Sequence, residues 1–166
     1  HGRYILEALQ GVSPLPESVL LRDYSDINVR DGSALIREKG LEGIARFVKG
    51  DAFDRADLAA LDPKPTLAVV SGLYELFADN QMVSASLAGL GDAVEPGGYL
   101  VYTGQPWHPQ LELIARALTS HREGQAWVMR RRTQAEMDQL VEAAGFRKVG
   151  MRVDEWGIFS VALAQR

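Results

Sequence analysis

The chain has no cysteine, which excludes a disulfide framework and any thiolate metal site. Histidine is scarce too. Its three copies stand at positions 1, 108 and 121, with no His-x-x-x-His pair, so no structural or catalytic zinc is expected. No apolar run approaches the roughly 20 residues that a membrane-spanning helix needs. No signal-peptide pattern is visible, and the expected location is the cytoplasm. A basic excess is also missing. Eighteen Lys and Arg against 22 Asp and Glu give a formal net charge of -4, which argues against the basic footprint of a nucleic-acid-binding surface. An initiator methionine and a leading loop are absent as well: His1 runs at once into a helix start, so a chain trimmed at its amino end is expected.

What is present is ordinary globular material. In 166 residues, 46% are apolar and 24% charged, enough for one domain with its own core. The pattern alternates strand with helix. Residues 3–10 read as a helix with Tyr4, Ile5, Ala8 and Leu9 on its inner face. Residues 18–23 read as a strand, 26–39 as a helix closed by Gly40, 44–49 as a strand and 56–61 as a short helix. The near-continuous apolar run 66–71 reads as a strand buried on both faces. A helix over 80–93, a Glu95-Pro96-Gly97-Gly98 turn and a strand over 99–103 follow. Residues 109–120 read as helical and 125–131 as extended. Thr133 and Glu136 form a capping box that opens a helix ending at Gly145. The last two strands, 146–153 and 157–164, are too close for a crossover helix and so form an antiparallel hairpin. Met82 and Met129 read as core filler. The expected fold is α/β: a Rossmann-like, mainly parallel sheet with helices on both faces and a carboxy-terminal antiparallel hairpin.

Ligands of open α/β sheets bind at the carboxyl ends of the strands, where the strand order reverses. Gly2 before the first helix suits a nucleotide loop, since glycine lets the backbone approach a ligand. Asp23 lies 21 residues later, close to the spacing at which an acidic side chain accepts from ribose hydroxyls. Asp51 is placed to accept from an adenine amino group. Acidic residues at strand ends are also common turn formers, and both readings stand. Arg130-Arg131-Arg132 reads as a solvated charged edge, with an acidic partner as the alternative. His121, beside Arg122 and Glu123, reads as surface.

Several segments, in order, resemble the class I S-adenosylmethionine-dependent methyltransferases. Gly2 to Leu9 resembles the last glycine of their Gly-x-Gly motif and its helix. Val19 to Asp23 resembles the acidic ribose strand, and Phe47 to Phe53 the adenine-contacting motif. Leu67 to Glu75 is similar to the fourth-strand motif, Glu95 to Tyr102 to the Pro-Gly-Gly turn and fifth strand, and Thr133 to Phe146 to the last helix and its exit. The resemblance covers nearly the whole chain. It implies one methyltransferase domain over 1–166, incomplete at the amino end, with the first strand and earlier glycines absent and an upstream segment or domain completing the sheet. More narrowly, the chain is similar to bacterial methyltransferase domains sometimes joined to an α/β-hydrolase domain.

The implied reaction is methyl transfer from S-adenosylmethionine, with Gly2, Asp23, Tyr24, Asp51, Ala52, Ser71 and Gly72 at the cofactor. Alignment of donor and acceptor does most of the work, and a base is needed only where the acceptor must lose a proton. Acceptor-side candidates are Tyr74, Glu75, Trp107 and His108: Tyr74, Glu75 and His108 as catalytic candidates, with His108 as a base near neutral pH, and Tyr74 and Trp107 as walls of the substrate pocket. The plainer reading has Trp107 packed and His108 solvated. An apolar pocket walled by Tyr74 and Trp107 favours a small or lipid-like acceptor over nucleic acid. Two alternatives remain: a nicotinamide-dependent oxidoreductase, for which no Tyr-x-x-x-Lys is present, and a methyltransferase-like interaction module without catalysis.

Overall fold

A computed structural model describes residues 2–119, 124 and 126–166. The chain divides into two compact units, residues 1–52 and 53–166.

The first unit holds α1 (Arg3–Leu9), β1 (Val19–Asp23), α2 (Asp26–Glu38) and β2 (Ala45–Lys49). The two strands pair in parallel, Val19 opposite Ala45 and Asp23 opposite Lys49. Ser25 caps α2 by accepting from the Asn28 N–H. At the other end Gly40, at φ 66°, closes the helix as expected. Its N–H reaches Arg37 O, and Leu41 N–H reaches Ile36 O, the paired bonds of a Schellman motif. Leu41 then tucks into a core of Leu6, Leu35, Ile36 and Ala45. The inner face of α1 differs from expectation. Leu6 is fully buried, with Ile5 and Leu9 beside it, while Tyr4 and Ala8 face outward. The stripe runs i, i+3, i+4, i+7 from Gly2, the usual helical contact row.

The second unit holds α3 (Arg55–Ala59), β3 (Leu67–Val70), a 3-10 turn (Tyr74–Leu76), α4 (Asn80–Ala93), β4 (Tyr99–Gly104), α5 (Leu111–Ala117), α6 (Gln134–Ala143), β5 (Arg147–Val153) and β6 (Ser160–Gln165). Its sheet has the order β3-β4-β6-β5. β3 and β4 are parallel, and β6 runs antiparallel to both β4 and β5. The short connection between β5 and β6 forces that hairpin, as expected. Pro96 and Gly97 make the turn into β4: Gly98 N–H bonds Glu95 O at 2.9 Å, and Gly97 takes φ 82°. Only glycine adopts that φ without strain at this turn position.

Ala68, Leu100, Tyr102, Ala162 and Ala164 line the sheet face that packs on Val83, Leu87 and Leu90 of α4 and Met137 and Val141 of α6. α4 approaches the end of α6 so closely that a Cβ on Gly91 would lie 2.3 Å from Ala144 O. The expectation that β3 is buried on both faces is not met. Leu67 and Val69, on one face of the strand, are exposed, while Ala68 on the other face is buried. Thr133 caps α6 as expected, accepting from Glu136 N–H at 3.1 Å. The Glu136 carboxylate, however, turns to Asn80 and Arg130. The stretch read as extended is irregular from Trp127 to Arg132, and part of it lies outside the described residues. Met82 and Met129 are half-buried, and Met137 is the methionine of the core. Among the described residues, no helix is long and apolar enough to cross a membrane.

Candidate functional site

In the first unit, parallel pairing sets the carboxyl ends of β1 and β2 side by side, and Gly50 N–H donates to Asp23 O at 3.1 Å. The half-buried Asp23 carboxylate accepts from Ser25 N–H at 2.9 Å through Oδ1 and from Asn28 Nδ2 at 3.0 Å through Oδ2. It therefore ties the strand to the start of α2, as a turn former does. An ionised carboxylate has about four lone-pair sites, so each oxygen keeps one for a hydroxyl donor. Tyr24 is exposed beside it, with Lys49 Nζ 6.0 Å from the ring centroid. A hydrogen bond to Asp26 holds the Lys49 ammonium above its usual range. Asp51, exposed, and Ala52, half-buried, follow β2. Gly2 takes φ 65° at the N-cap of α1, and a Cβ there would lie 2.8 Å from Leu21 Cδ1. The backbone at Gly2 thus passes close over β1 in a conformation that favours glycine.

In the second unit, the carboxyl ends of β3 and β4 are joined by a bond from Gly72 N–H to Thr103 Oγ1 at 2.9 Å. Ser71 and Gly72 are exposed there, and Gly72 has φ 66°. The turn that follows carries Tyr74 and Glu75. The Tyr74 hydroxyl lies 3.0 Å from Ser86 Oγ inside the core, and burial raises its pKa. That hydroxyl is committed to the fold, and Tyr74 also lines the recess that Glu75 enters. Glu75 is 8% exposed. Burial pushes its carboxyl above the usual range, with its own backbone N–H and the charge of Arg132 pulling the other way. Glu75 lines a recess together with Thr103, Gly104, Gln105, Arg130 and Arg132. The recess encloses about 10 Å³, room for one water-sized group.

Two residues of this recess were not legible as site residues. Gln105 directly follows β4. It is 6% exposed, and its Oε1 is buried with no hydrogen-bond partner among the described residues. Arg132 is 4% exposed and is no solvated edge. Its Nε donates to Asn80 Oδ1 at 2.7 Å, Nη1 to Tyr74 O at 2.7 Å, and Nη2 to Phe77 O at 2.8 Å. A buried guanidinium thus satisfies the carbonyls of the turn that carries Glu75. Arg130 donates to Ala78 O at 2.6 Å and pairs with Glu136 at 2.5 Å. Nothing in a run of three arginines distinguishes one that serves buried carbonyls from one in water. Trp107 is 52% exposed rather than packed. His108 is half-buried, its Nδ1 accepting from Gln110 N–H at 3.1 Å. Neither lines the recess. His121, Arg122 and Glu123 lie outside the described residues.

Over residues 1–166 the chain matches a family model described as "Putative methyltransferase". It is 59% identical over 166 residues to YnbC of Escherichia coli (strain K12), a protein named as uncharacterized, and covers 28% of that protein's length. Among solved structures it is similar to a SAM-dependent methyltransferase from Methanosarcina mazei, at 21% identity and a TM-score of 0.68, over 90% of this chain and 82% of that one. It is also similar to the O-methyltransferase NcsB1 from neocarzinostatin biosynthesis, solved with S-adenosyl-L-homocysteine and 1,4-dihydroxy-2-naphthoic acid. That match has 19% identity and a TM-score of 0.75, over 98% of this chain and 45% of the other. At such identities the structural likeness shows a shared fold.

Proposed function

The chain belongs to the methyltransferase family that it matches, with the class I α/β fold, and from that premise we propose that it transfers a methyl group from S-adenosylmethionine to a small or lipid-like acceptor. The observation that carries this reading is the Asp23 carboxylate at the end of β1, with a lone pair left on each oxygen after its two local bonds. Two vicinal ribose hydroxyls are matching donors. Tyr24 and Ala52 offer apolar surface, and Asp51 an acceptor, for an adenine. Gly2 supplies close-approaching backbone at a helix start. In the second unit Ser71 and Gly72 are exposed at the end of β3 and are assigned to the cofactor as well. The cofactor supplies a methyl carbon already activated by a positive sulfur.

The residues then have little bond-making chemistry of their own to do beyond holding the acceptor in line. Glu75 is the candidate for receiving a proton, because burial raises a carboxylate toward the range where a base works near neutral pH. Trp107, exposed, is left as a candidate wall for the acceptor, and His108 as a second base. A net charge of -4 supports an acceptor other than nucleic acid.

The test is calorimetric titration of S-adenosylmethionine into the parent and Asp23→Ala. Loss of hydrogen bonds to a charged group should weaken binding by about 1.5–3 kcal/mol. Because Asp23 also accepts from Ser25 and Asn28, the unliganded variant should melt lower as well. Equal affinity in the two proteins would refute the ribose role, and no binding to the parent would favour a non-catalytic module.

A further inference from the structure

The recess at the ends of β3 and β4 is built of acceptors whose natural complement is missing from the protein itself. Gln105 Oε1 is buried and unpartnered. A buried polar atom without a protein partner costs stability unless a water or a ligand group meets it. Glu75 brings a carboxylate to the same recess, its Oε1 placed 3.9 Å from where a Cβ on Gly72 would stand. The two guanidiniums that line the recess are already engaged. Arg132 gives its N–H groups to Asn80 Oδ1 and to the carbonyls of Tyr74, Phe77 and Ala78. Arg130 gives its own to Ala78 O and Glu136.

The charge balance narrows the ligand further. An anion would meet Glu75 and the oxygen of Gln105. A cation would meet two guanidiniums. A neutral group with one hydrogen to donate meets neither penalty. The recess, partly open and with about 10 Å³ inside, takes one oxygen-sized head.

We infer that this recess is a binding site for a neutral hydroxyl, the head of a larger alcohol or phenol, which donates to Gln105 Oε1 or Glu75. Resting on the methyltransferase reading above, it defines the acceptor class as a hydroxyl compound, with Gln105 as the residue that selects it. The hydroxyl site itself does not depend on the cofactor.

The experiment follows the amide signals of the isotopically labelled chain while phenol is titrated to millimolar concentration. Anisole, which lacks the donor, and benzylammonium, which is charged, serve as comparisons. Phenol should shift the Gln105 side-chain amide and the backbone amides of Glu75 and Gly104, and the other two probes should not. Gln105→Leu should weaken phenol at least tenfold while melting no lower than the parent, since it removes an unsatisfied oxygen rather than a bond. Should that variant not fold, Gln105→Glu keeps an acceptor at the same place, and should still bind phenol and newly admit benzylammonium. Unmoved signals with phenol, equal shifts with anisole, retained phenol binding in Gln105→Leu, or loss of both probes in Gln105→Glu would each overturn the assignment. A parallel titration with S-adenosylmethionine separates the two readings: phenol without cofactor sinks the methyl transfer alone, and cofactor without phenol sinks the hydroxyl site alone.

Discussion

Replacing Arg132 by Met keeps the length and apolar stem of the side chain but removes its charge and every donor. Three short bonds go at once, to Asn80 Oδ1, Tyr74 O and Phe77 O. Each hydrogen bond involving a charged group contributes about 1.5–3 kcal/mol. Against that stands the cost of burying a guanidinium, several kcal/mol, which the Met variant no longer bears. That burial also holds the Arg132 pKa below its ordinary value. The acceptors left behind decide the sign. Two backbone carbonyls in a turn and the Glu75 carboxyl lose their neighbouring positive charge, and breaking such a buried arrangement costs about 3–5 kcal/mol. For a chain of this size that lowers the melting temperature by roughly 10 °C, at about 2–4 °C per kcal/mol. Differential scanning calorimetry measures it directly. Arg132→Lys should fall between parent and Met variant, because an ammonium restores the charge but not the fork of donors. Arg116→Met is the control: its pair with Glu112 is exposed, and its loss should scarcely register. A shift for Arg132→Met as small as that of Arg116→Met would refute the clamp.

Two further substitutions test the packing and the electrostatics of the second unit. Gly91→Ala should lower the urea midpoint through an overpacking cost of about 1–3 kcal/mol, since its Cβ would stand 2.3 Å from the backbone oxygen of Ala144. The roughly 1 kcal/mol that alanine gains over glycine in a helix offsets the low end of that range, leaving a net loss of up to about 2 kcal/mol, so a raised midpoint would count against the crossing. Asp138 is held below the usual carboxylate range: burial acts against this, but hydrogen bonds from Lys148, Gln134 and Tyr102 outweigh it. With the folded pKa below the unfolded one, its stabilisation is complete above the unfolded value of about 3.9 and fades as pH falls through the folded one. The difference in melting temperature between the parent and Asp138→Asn should therefore be constant near neutrality and shrink in acid, and a difference that grows on acidification would contradict the assignment.

Element boundaries were legible where the chain carries its own stop signals. Gly40 and Gly145 each take a left-handed conformation just past a helix, and Thr133 caps α6 with its own oxygen. Such signals are local, and local chemistry decides them. The misread features depend on what lies across space. The apolar run of β3 does not announce that the face carrying Leu67 and Val69 stays exposed. The face of α1 turned on Leu6, which a window centred on Tyr4 and Ala8 passes over. Candidate site residues divide the same way. Asp23 could be placed because a strand end and a spacing point to it. Glu75 followed from its position after β3. Gln105 could not be singled out, because an amide after a strand is unremarkable until its oxygen is seen to be buried and alone. Arg132 was misassigned because charge in a sequence suggests water, whereas here the guanidinium serves the carbonyls of Tyr74 and Phe77.

The position of β6 has a consequence for the order in which the second unit can assemble. Of the four strands in that sheet it is the last to be synthesised, yet it lies between β4 and β5. Until Ser160–Gln165 arrives, β5 has no strand to pair with, β4 has one open edge, and α4 and α6 lack the two alanines, Ala162 and Ala164, that complete the surface under them. A nascent chain lacking this segment can form the β3–β4 pair but cannot close the sheet. Pairings this distant in sequence carry a large loop-closure entropy and form slowly. The unit is thus expected to fold as a whole only after its final strand has emerged, leaving the open edge of β4 exposed to other chains in the meantime.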